Sequence, residues 1–477
     1  YRITADSPLM ENGNRFGTAA SLLPSTDPDG NPRISGIVDI GAYESTLAPP
    51  TGEEGVWFSQ GLLVPRMTRP VIRKAGEGFQ IDIARLGSFS SSDATVNLIN
   101  PLGESFAVTV TGVSHSDMIP GSAMDHTIYY NPGIERVQHI SVQVPGTVPE
   151  DFYGIQVLLA GRNYHSENAV KILDEYPSEW GFMHITDIHV GYDQEEYTAN
   201  ERLMFCSEEV NILDPEFVVI TGDICENQNL GNTFVDSLLY TISHYRVPVL
   251  LVPGNHDHYN DGQGYYPYSW MRYFQTVTRV KNTAFCFGEA RFYGLNSQYD
   301  LGLTQLYRCW GPSNASLDWL EAQLVSEAPS GPLFLGTHGP NFDYFSWNVN
   351  NNSRVVDILD NYGFALALAG HTHRFETFLN EGSNYLGRND FSHNDDWGRD
   401  VAFPGFPLHV QTSALGKEEH LPYPGTEDLT SMMENRLELE TLHYTIENDP
   451  HRGLFGDSIG WRWVQVSGSD VQFFTVD

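Results

Sequence analysis

The chain lacks long apolar runs and has few basic residues, and each shortage excludes a class of protein. No stretch approaches the ~18 apolar residues needed to cross a bilayer, and the longest candidate, residues 363–370, has the length of a strand. Lys and Arg together number 26 against 61 Asp and Glu, so the net charge is −35. Such a surface repels nucleic-acid phosphates and anionic lipid. We therefore expect no membrane span and do not favour a nucleic-acid partner.

Cysteine and lysine are also scarce. The four cysteines, Cys206, Cys225, Cys286 and Cys309, include no CxxC pair. They allow three disulfide connectivities, and buried free thiols fit the sequence equally well. Only four of the basic residues are Lys, and an acidic, lysine-poor composition suits a secreted or cell-surface protein.

The 477 residues are 40% hydrophobic and 12% aromatic, enough to form buried cores. At roughly 150 residues per domain, the length predicts about three domains. Changes in residue pattern place them at 1–48, 52–175 and 178–477. The chain begins at Tyr1 without a signal-peptide pattern, and we expect it to be part of a larger multidomain surface protein.

Residues 1–48 are rich in turn-forming residues and short apolar alternations. The residues that carry the pattern are Asp27, Asp29, Gly30, Pro32, Arg33 and the run Asp39–Glu44. They resemble the C-terminal end of right-handed β-helix surface proteins. The segment is either such an end, whose coils need upstream neighbours, or an irregular N-terminal extension.

Residues 52–175 contain short runs of alternating polar and apolar residues separated by turns. The runs begin at Phe79, Ala94, Phe106, His139 and Tyr153. This pattern is typical of an all-β, immunoglobulin-like sandwich. Nothing in it indicates chemistry, so we interpret the domain as a spacer or a docking module.

From residue 178 onward, apolar strand-like runs alternate with helical patterns at 201–213 and 316–328. That alternation predicts a layered α/β domain. Two further strand patterns, at 460–466 and 471–476, close the chain. We expect them to complete a sheet of this last domain.

Five apolar runs in this domain each stop at a polar cluster. Ligands bind beyond the carboxyl ends of strands in open α/β sheets, so the strands would deliver these side chains to one edge. The clusters are Asp187-Ile-His189, Asp223, Asn255-His256-Asp257, His338 and His371-Thr-His373. Each is a weak signal alone, but five in order, each after a strand, indicate a metal site.

The order DxH…GD…GNHD…H…GHTH resembles that of the calcineurin-like metallophosphoesterases over residues 180–415. The resemblance implies an α/β (α+β) fold with two packed β-sheets flanked by helices and two metal ions at the strand ends. Imidazole, amide and carboxylate ligands favour Mn, Fe or Zn over soft Cu(I). The sequence does not choose among these divalent or trivalent ions.

The resemblance also assigns the metal ligands. Asp223 would bridge the two ions, as a carboxylate suits cations ~3.5–4 Å apart. The first ion would be held by Asp187, His189 and His373, and the second by Asn255, His338 and His371. Water or hydroxide held between the ions would attack the phosphate.

In this family the His of the GNHD motif faces the substrate. This implies that His256 protonates the leaving oxygen or stabilises the phosphoryl transition state, and that Asp257 orients or charges its imidazole. His258 and Tyr259 begin an aromatic loop, which either contacts the substrate or is simply packed. Glu226 could reach the site or cap the following helix, and we favour the structural role. Purple acid phosphatases place a metal-bound Tyr at that position and lack the counterpart of His189, so this chain does not resemble that subgroup.

The leading hypothesis is a dinuclear, metal-dependent phosphoesterase acting on a small phosphate ester, with a diester favoured over a monoester. The first alternative is a surface binding or adhesion module with an inactive hydrolase scaffold, against which the complete ligand set argues. The second is a metal-dependent nuclease with the same site. The net charge of −35 counts against that activity.

Overall fold

The structure, a computed structural model, describes residues 57–59, 61–85, 87–117, 136–191, 199–226, 232–258, 277, 282–297, 311–339, 351–371, 376–381, 384–385, 408–411 and 461–476. The predicted β-helix-like segment 1–48 lies outside these ranges. Its resemblance to a β-helix end therefore stays a prediction.

The first described unit is built from strands whose side chains alternate between core and surface. In the strand Gly78–Ala84, Phe79, Ile81 and Ile83 are buried and the residues between them are more exposed, which is the two-residue period of a β-strand. The strands are β1 (Leu62–Val64), β2 (Val71–Lys74), β3 (Gly78–Ala84), β4 (Ala94–Ile99), β5 (Ser105–Asp117), β6 (Arg136–Gln143), β7 (Asp151–Leu159) and β8 (Arg162–Leu173).

Among the described residues these strands pair in the order β1-β3-β6-β5-β4-β7-β8-β2. All the pairs are antiparallel except β2 with β8. Each of the five runs predicted as strands lies in one of β3 to β7. Their inward residues, among them Ile81, Val96, Ile140 and Val157, share one core. The immunoglobulin-like arrangement and the limits 52–175 stay predictions.

The remaining strands form two sheets. They are β9 (Glu179–Ile185), β10 (Phe217–Thr221), β11 (Val249–Val252), β12 (Thr283–Phe287), β13 (Ala290–Leu295), β14 (Leu333–Thr337), β15 (Leu366–Ala369), β16 (Glu376–Glu381), β17 (Asn384–Tyr385), β18 (Leu408–Gln411), β19 (Trp461–Ser467) and β20 (Asp470–Val476). In the described part of the chain the orders are β11-β10-β9-β19-β20 and β12-β13-β14-β15-β18-β16-β17. Both sheets mix parallel and antiparallel pairs. The C-terminal strands β19 and β20 complete the first sheet, as the sequence predicted.

The two sheets pack face to face through aromatic side chains. The rings of Phe182 and Phe334 lie 5.3 Å apart, and those of Phe217 and Phe285 lie 5.1 Å apart. Along β10, Phe217 and Val219 point into this layer, whereas Val218 points to the opposite face. Both faces of the strand are buried, which explains why its sequence is a continuous apolar run.

Helices cover the outer faces of both sheets. Side chains of α1 (Ala199–Leu213) and α2 (Asn232–Ser243) pack against the first sheet. Those of α3 (Asn314–Glu327) and α4 (Asn352–Tyr362) pack against the second. The predicted helical patterns 201–213 and 316–328 thus lie in α1 and α3. None of the helices that the structure describes has the length and apolar character needed to cross a membrane.

The start of the β-unit, residues 57–59 and 61–67, is packed against the two-sheet domain. Trp57, Phe58 and Met67 are buried in the same apolar cluster as the outer face of the first sheet. The Arg66 guanidinium is fully buried, lies 4.3 Å from the centroid of the Phe58 ring and donates to the carbonyl of Val277. The β-unit therefore shares core surface with the domain that it precedes.

Three of the four cysteines lie within the described residues and are free. Cys206 and Cys225 are buried thiols, and Cys286 is partly buried and accepts a hydrogen bond from Arg73 at 3.0 Å. Cys309 lies outside the described ranges.

Candidate metal centre

The predicted polar clusters meet at one edge of the two sheets, where five strands end. Asp187 follows β9, Asp223 follows β10, Asn255 follows β11, His338 follows β14 and His371 follows β15. The strands β9, β10 and β11 lie in the first sheet, and β14 and β15 lie in the second. The site therefore spans both sheets. Four of the five residues are buried, and His371 is partly buried.

The two loops that follow β9 and β10 are joined by backbone hydrogen bonds. The N–H of Asp187 donates to the carbonyl of Gly222 at 3.0 Å, and that of His189 donates to the carbonyl of Asp223 at 2.8 Å. The φ angles of Asp187, His189 and Asp223 are 51°, 53° and 45°, and that of His371 is 71°. Left-handed backbone costs a non-glycine residue roughly 1–2 kcal/mol, so the fold holds four site residues in a strained conformation.

Glycine is required where these loops approach one another most closely. A Cβ on Gly254 would overlap the backbone nitrogen and carboxylate of Asp223. A Cβ on Gly370 would overlap the hydroxyl of Thr186 and the carboxylate of Asp187. Both glycines therefore leave room for carboxylates that the site needs.

Imidazole nitrogens and carboxylate oxygens converge in the space between the loops. Nε2 of His338 lies 3.1 Å from Oδ2 of Asp223, 2.9 Å from Oδ1 of Asn255 and 3.9 Å from Oδ1 of Asp187. Nε2 of His189 lies 3.9 Å from Oδ1 of Asp187 and 3.9 Å from Oδ2 of Asp223. Asp223 is thus shared by the two imidazoles, as a bridging ligand requires.

The hydrogen bonds of His338 show that this space favours a cation. Its Nδ1 lies 2.8 Å from the carbonyl of Thr221, which can only accept, so Nδ1 carries the proton. A neutral ring would then turn the Nε2 lone pair toward the carboxylate oxygen of Asp223. Burial lowers the pKa of His338, but the charges of Asp223 and Asp187 outweigh it and raise that pKa to about 9. A metal ion would supply the positive charge that this second proton supplies.

The same charges act on Asp223. Burial raises the pKa of its carboxyl, but His338 and His256 outweigh that effect and hold the pKa well below its usual value. The carboxylate is therefore ionised and ready to bind a cation. Two groups of donor atoms, each within 4.8 Å of one another, share Asp223: one adds His189 and His256, and the other adds His338 and His371. Imidazole and carboxylate donors in this arrangement fit Mn, Fe or Zn.

Thr186 and Thr221 orient the candidate ligands, and no sequence pattern predicted this role. The hydroxyl of Thr186 lies 2.8 Å from Oδ2 of Asp187 and 2.9 Å from the carbonyl of Thr221. The backbone N–H of His371 donates to the same Oδ2 at 2.8 Å. Threonines at the ends of strands are too common to have signalled this role.

His256 is more exposed than two other imidazoles of the site, with 26% of its side chain accessible against 1% for His189 and 0% for His338. Its Nδ1 lies 2.8 Å from the carbonyl of Glu226, and its backbone N–H donates to Oδ1 of Asp223 at 2.7 Å. Nδ1 therefore carries a proton, which leaves Nε2 as the atom available to a substrate.

Asp257 makes different contacts from those expected. Its carboxylate accepts backbone N–H groups of Ile224 at 3.1 Å, Cys225 at 3.0 Å and Gly254 at 2.7 Å, rather than the His256 imidazole. Burial, followed by the charge of Asp223, raises its pKa to about 7. Asp257 thus ties together the loops after β10 and β11, because its carboxylate supplies the acceptor that these buried N–H groups need.

Glu226 reaches the site, contrary to the structural role that the sequence favoured. Its Oε2 lies 2.5 Å from Nδ1 of His189 and 3.7 Å from Nδ1 of His256. His373, the side chain of His258 and Tyr259 lie outside what the structure describes. Their roles as metal ligand and substrate contacts stay predictions.

Two packed mixed sheets with buried imidazoles and carboxylates at their strand ends define a class of metal-dependent enzymes. Residues 181–375 match the family model described as calcineurin-like phosphoesterase. This part of the chain is therefore similar to the calcineurin-like phosphoesterases in sequence. The protein is accordingly a hydrolase that acts on phosphoric ester bonds.

Individual relatives are distant. A probable glycerophosphodiester phosphodiesterase of Arcobacter nitrofigilis is 29% identical over 244 residues, which are 47% of this chain and 85% of that protein. The DNA double-strand break repair protein Mre11 of Methanococcus maripaludis is 25% identical over 130 residues, 25% of this chain and 33% of that protein. The structure of a purple acid phosphatase from yellow lupin (Lupinus luteus) aligns with 87% of this chain and over 74% of the phosphatase chain. The sequence identity is 13% and the TM-score is 0.44.

Proposed function

We propose that this protein is a dinuclear metal-dependent phosphodiesterase for a small phosphate diester. The observation that carries the proposal is that two imidazoles face the Asp223 carboxylate, with Nε2 of His189 3.9 Å and Nε2 of His338 3.1 Å from its Oδ2. One bridging carboxylate between two sets of imidazoles suits two cations at ~3.5–4 Å. Two cations bound there would lower the pKa of bound water and neutralise the charge of the phosphoryl oxygens.

The residues of the chain would divide the remaining work. Asp187, His189 and Asp223 would hold one ion, with His373 as the predicted fourth ligand. Asn255, His338 and His371 would join Asp223 around the other. These ligands are preorganised, because the loops that carry them are linked by buried hydrogen bonds.

His256 would act on the leaving group. With Nδ1 bound to the Glu226 carbonyl, a protonated ring presents only Nε2–H to the substrate. Transfer of that proton to the departing ester oxygen would leave a neutral imidazole, still held by its Nδ1–H. General acids of this kind contribute typically 10²–10⁴-fold to the rate.

A diester is favoured over a monoester because a relative of which this chain covers 85% is named a probable glycerophosphodiester phosphodiesterase. A nuclease remains the second candidate, since Mre11 is also a relative. The net charge of −35 opposes it by repelling a polyanionic substrate. We further propose a secreted or cell-surface location for this acidic chain within a larger multidomain protein.

The test is a rate comparison on Mn²⁺-reconstituted protein, with and without chelator. We expect chelator-sensitive turnover, faster for a bis-aryl phosphate diester and for a glycerophosphodiester than for an aryl monoester. Faster monoester turnover would contradict the diester preference. If neither ester is hydrolysed although Mn²⁺ binds, the inactive-scaffold alternative replaces the proposal.

A matched pair of variants tests the bridge. Asp223→Asn should lose both ions and nearly all turnover, because an amide is a weak bridging ligand. Asp318→Asn removes a carboxylate with a largely exposed side chain on α3 that pairs with Arg354, and it should keep both. An Asp223→Asn protein with two bound ions and a normal rate would refute the bridging role.

A further inference from the structure

Glu226 lies in the loop after β10, which runs beside the loop after β9. Hydrogen bonds between these two loops hold its backbone in place. Val190 donates its N–H to the carbonyl of Ile224 at 2.8 Å, and Glu226 donates its own to the carbonyl of Val190 at 3.1 Å. Val190 and Cys225 form a parallel β-bridge between the loops. The start of the Glu226 side chain is therefore held beside the loop that carries His189.

The carboxylate of Glu226 lies against the outer nitrogen of a predicted metal ligand. Its Oε2 is 2.5 Å from Nδ1 of His189, whose side chain is 1% accessible against 22% for Glu226. The other nitrogen, Nε2, lies 3.9 Å from both the Asp187 and the Asp223 carboxylates. One nitrogen of this buried imidazole, Nδ1, thus contacts a carboxylate, and the other, Nε2, faces the candidate metal-binding space.

A carboxylate accepts hydrogen bonds but does not donate them, so the proton of a neutral His189 ring belongs on Nδ1. The lone pair is then on Nε2, which is the form that binds a metal ion through this nitrogen. Carboxylates that hold the outer N–H of a metal-bound histidine orient the ring and raise its basicity.

We propose that Glu226 is a positioning residue that fixes the Nδ1–H tautomer and the orientation of His189, and thereby sets the affinity of one of the two metal ions. The inference rests on the proposed dinuclear site and deepens it. Glu226 is not proposed to touch the reacting atoms. It acts through His189.

The backbone of Glu226 has a separate role, which makes the proposal specific. Its carbonyl, not its carboxylate, lies 2.8 Å from Nδ1 of His256, whereas the carboxylate is 3.7 Å from that nitrogen. The His189 and His256 rings meet edge to face at 4.6 Å. A side-chain substitution should therefore alter His189 and leave the tautomer of His256 as it is.

The test is Mn²⁺ titration of the full chain, with free ion counted by electron paramagnetic resonance. Glu226→Ala should weaken one of two sites by about 10–100-fold and leave the other within about threefold. Glu226→Gln keeps an acceptor oxygen and should fall between Glu226→Ala and the wild type. Glu209→Gln is the control, since Glu209 is a partly buried glutamate that accepts from Trp461 at 3.1 Å on α1, away from the site.

Nitrogen NMR of the imidazoles provides a readout that a folding defect alone would not produce. In the metal-free protein, Glu226→Ala should shift His189 from the Nδ1–H form toward a mixture of tautomers, with His256 unchanged. At saturating Mn²⁺ the variant should recover turnover to within about threefold of wild type, because the ring is still present.

The outcomes separate this inference from the proposed function. Wild-type protein that binds fewer than two Mn²⁺ or Zn²⁺ ions would overturn the dinuclear site itself. Two ions in the wild type with unchanged affinity in Glu226→Ala would overturn the role of Glu226 alone. Equal weakening of both ions, or an altered His256 tautomer, would also refute it, since either result indicates a general loss of structure.

Discussion

Gly222→Ala should disrupt the metal centre through a single added methyl group. Gly222 precedes Asp223, the proposed bridging ligand, and has φ +91°. A Cβ there would lie 2.5 Å from Cγ and Nδ1 of the His338 ring. Ordinary contact between carbon atoms is about 3.5–4.0 Å, so the ring would have to move by about 1 Å.

Two costs add at this position. A Cβ at positive φ costs roughly 1–2 kcal/mol. Displacement of the ring would break its hydrogen bonds to Thr221 at 2.8 Å and Asn255 at 2.9 Å, and overpacking of this kind costs about 1–3 kcal/mol. We therefore expect Gly222→Ala to lower the free energy of unfolding by about 2–5 kcal/mol.

Gly76→Ala is the matched control. Gly76 has φ +90°, nearly the value at Gly222, but a Cβ there would meet nothing within 4 Å. Its cost should be the conformational part alone, about 1–2 kcal/mol. The effect of alanine on the unfolded chain is the same for both variants and cancels in the comparison.

Urea unfolding of the metal-free variants and Mn²⁺ titration would measure the difference. Gly222→Ala should be the less stable variant by about 1–3 kcal/mol and should bind the ion at His338 more weakly. Gly76→Ala should bind two ions as the wild type does. Equal destabilisation of the two variants, with metal binding intact in both, would refute the close approach of Gly222 to His338.

Three further predictions concern His256, Glu216 and Arg66. His256→Ala should keep its metal ions but lose ~10²–10⁴-fold in rate. The loss should be smaller for substrates with good leaving groups, which need no proton. An equal loss for all substrates would argue against proton donation. Burial raises the pKa of Glu216 from 4.5 to about 7. Between these pH values the folded protein retains a proton that the unfolded chain releases, so the free energy of unfolding falls as the pH rises from 4.5 to about 7. Glu216→Gln should then be more stable than wild type at pH 8 by about 1 kcal/mol, after allowance for partial exposure, and equal at pH 4, in thermal unfolding at both pH values. Arg66→Met removes a buried hydrogen bond to the carbonyl of Val277. It should lower the free energy of unfolding, measured in urea, by about 2 kcal/mol. No change would mean that this contact does not stabilise the packing of the β-unit against the two-sheet domain.

The positions of the candidate metal ligands were predictable because their signals are local in the sequence. Each is a polar residue at the end of an apolar run, and a run of four to six buried residues is recognisable as a strand without knowledge of its partners. Asp187, Asp223, Asn255 and His338 lie at such ends and come together in the structure. Whether His373 joins them stays a prediction.

Contacts between loops were not predictable in the same way. Asp257 was expected to orient His256, its neighbour in sequence, but its carboxylate accepts N–H groups from the loop after β10. Glu226 was expected to have a structural role, but it reaches His189. Each contact joins a residue to a neighbouring loop that is distant in sequence. The path of that loop cannot be deduced from a local sequence pattern.

The sequence by itself determined the all-β and α/β character of the two described regions, the order of the strands that carry the site and the chemical type of its ligands. These follow from periodicity and from residue type, which are local properties. Only the tertiary structure decided which side chains share the Asp223 carboxylate, which loops need glycine and which imidazole nitrogen faces the metal space. Those features depend on the packing of strand ends that are distant in sequence, because a hydrogen bond or a steric contact is decided by differences of a few tenths of an ångström.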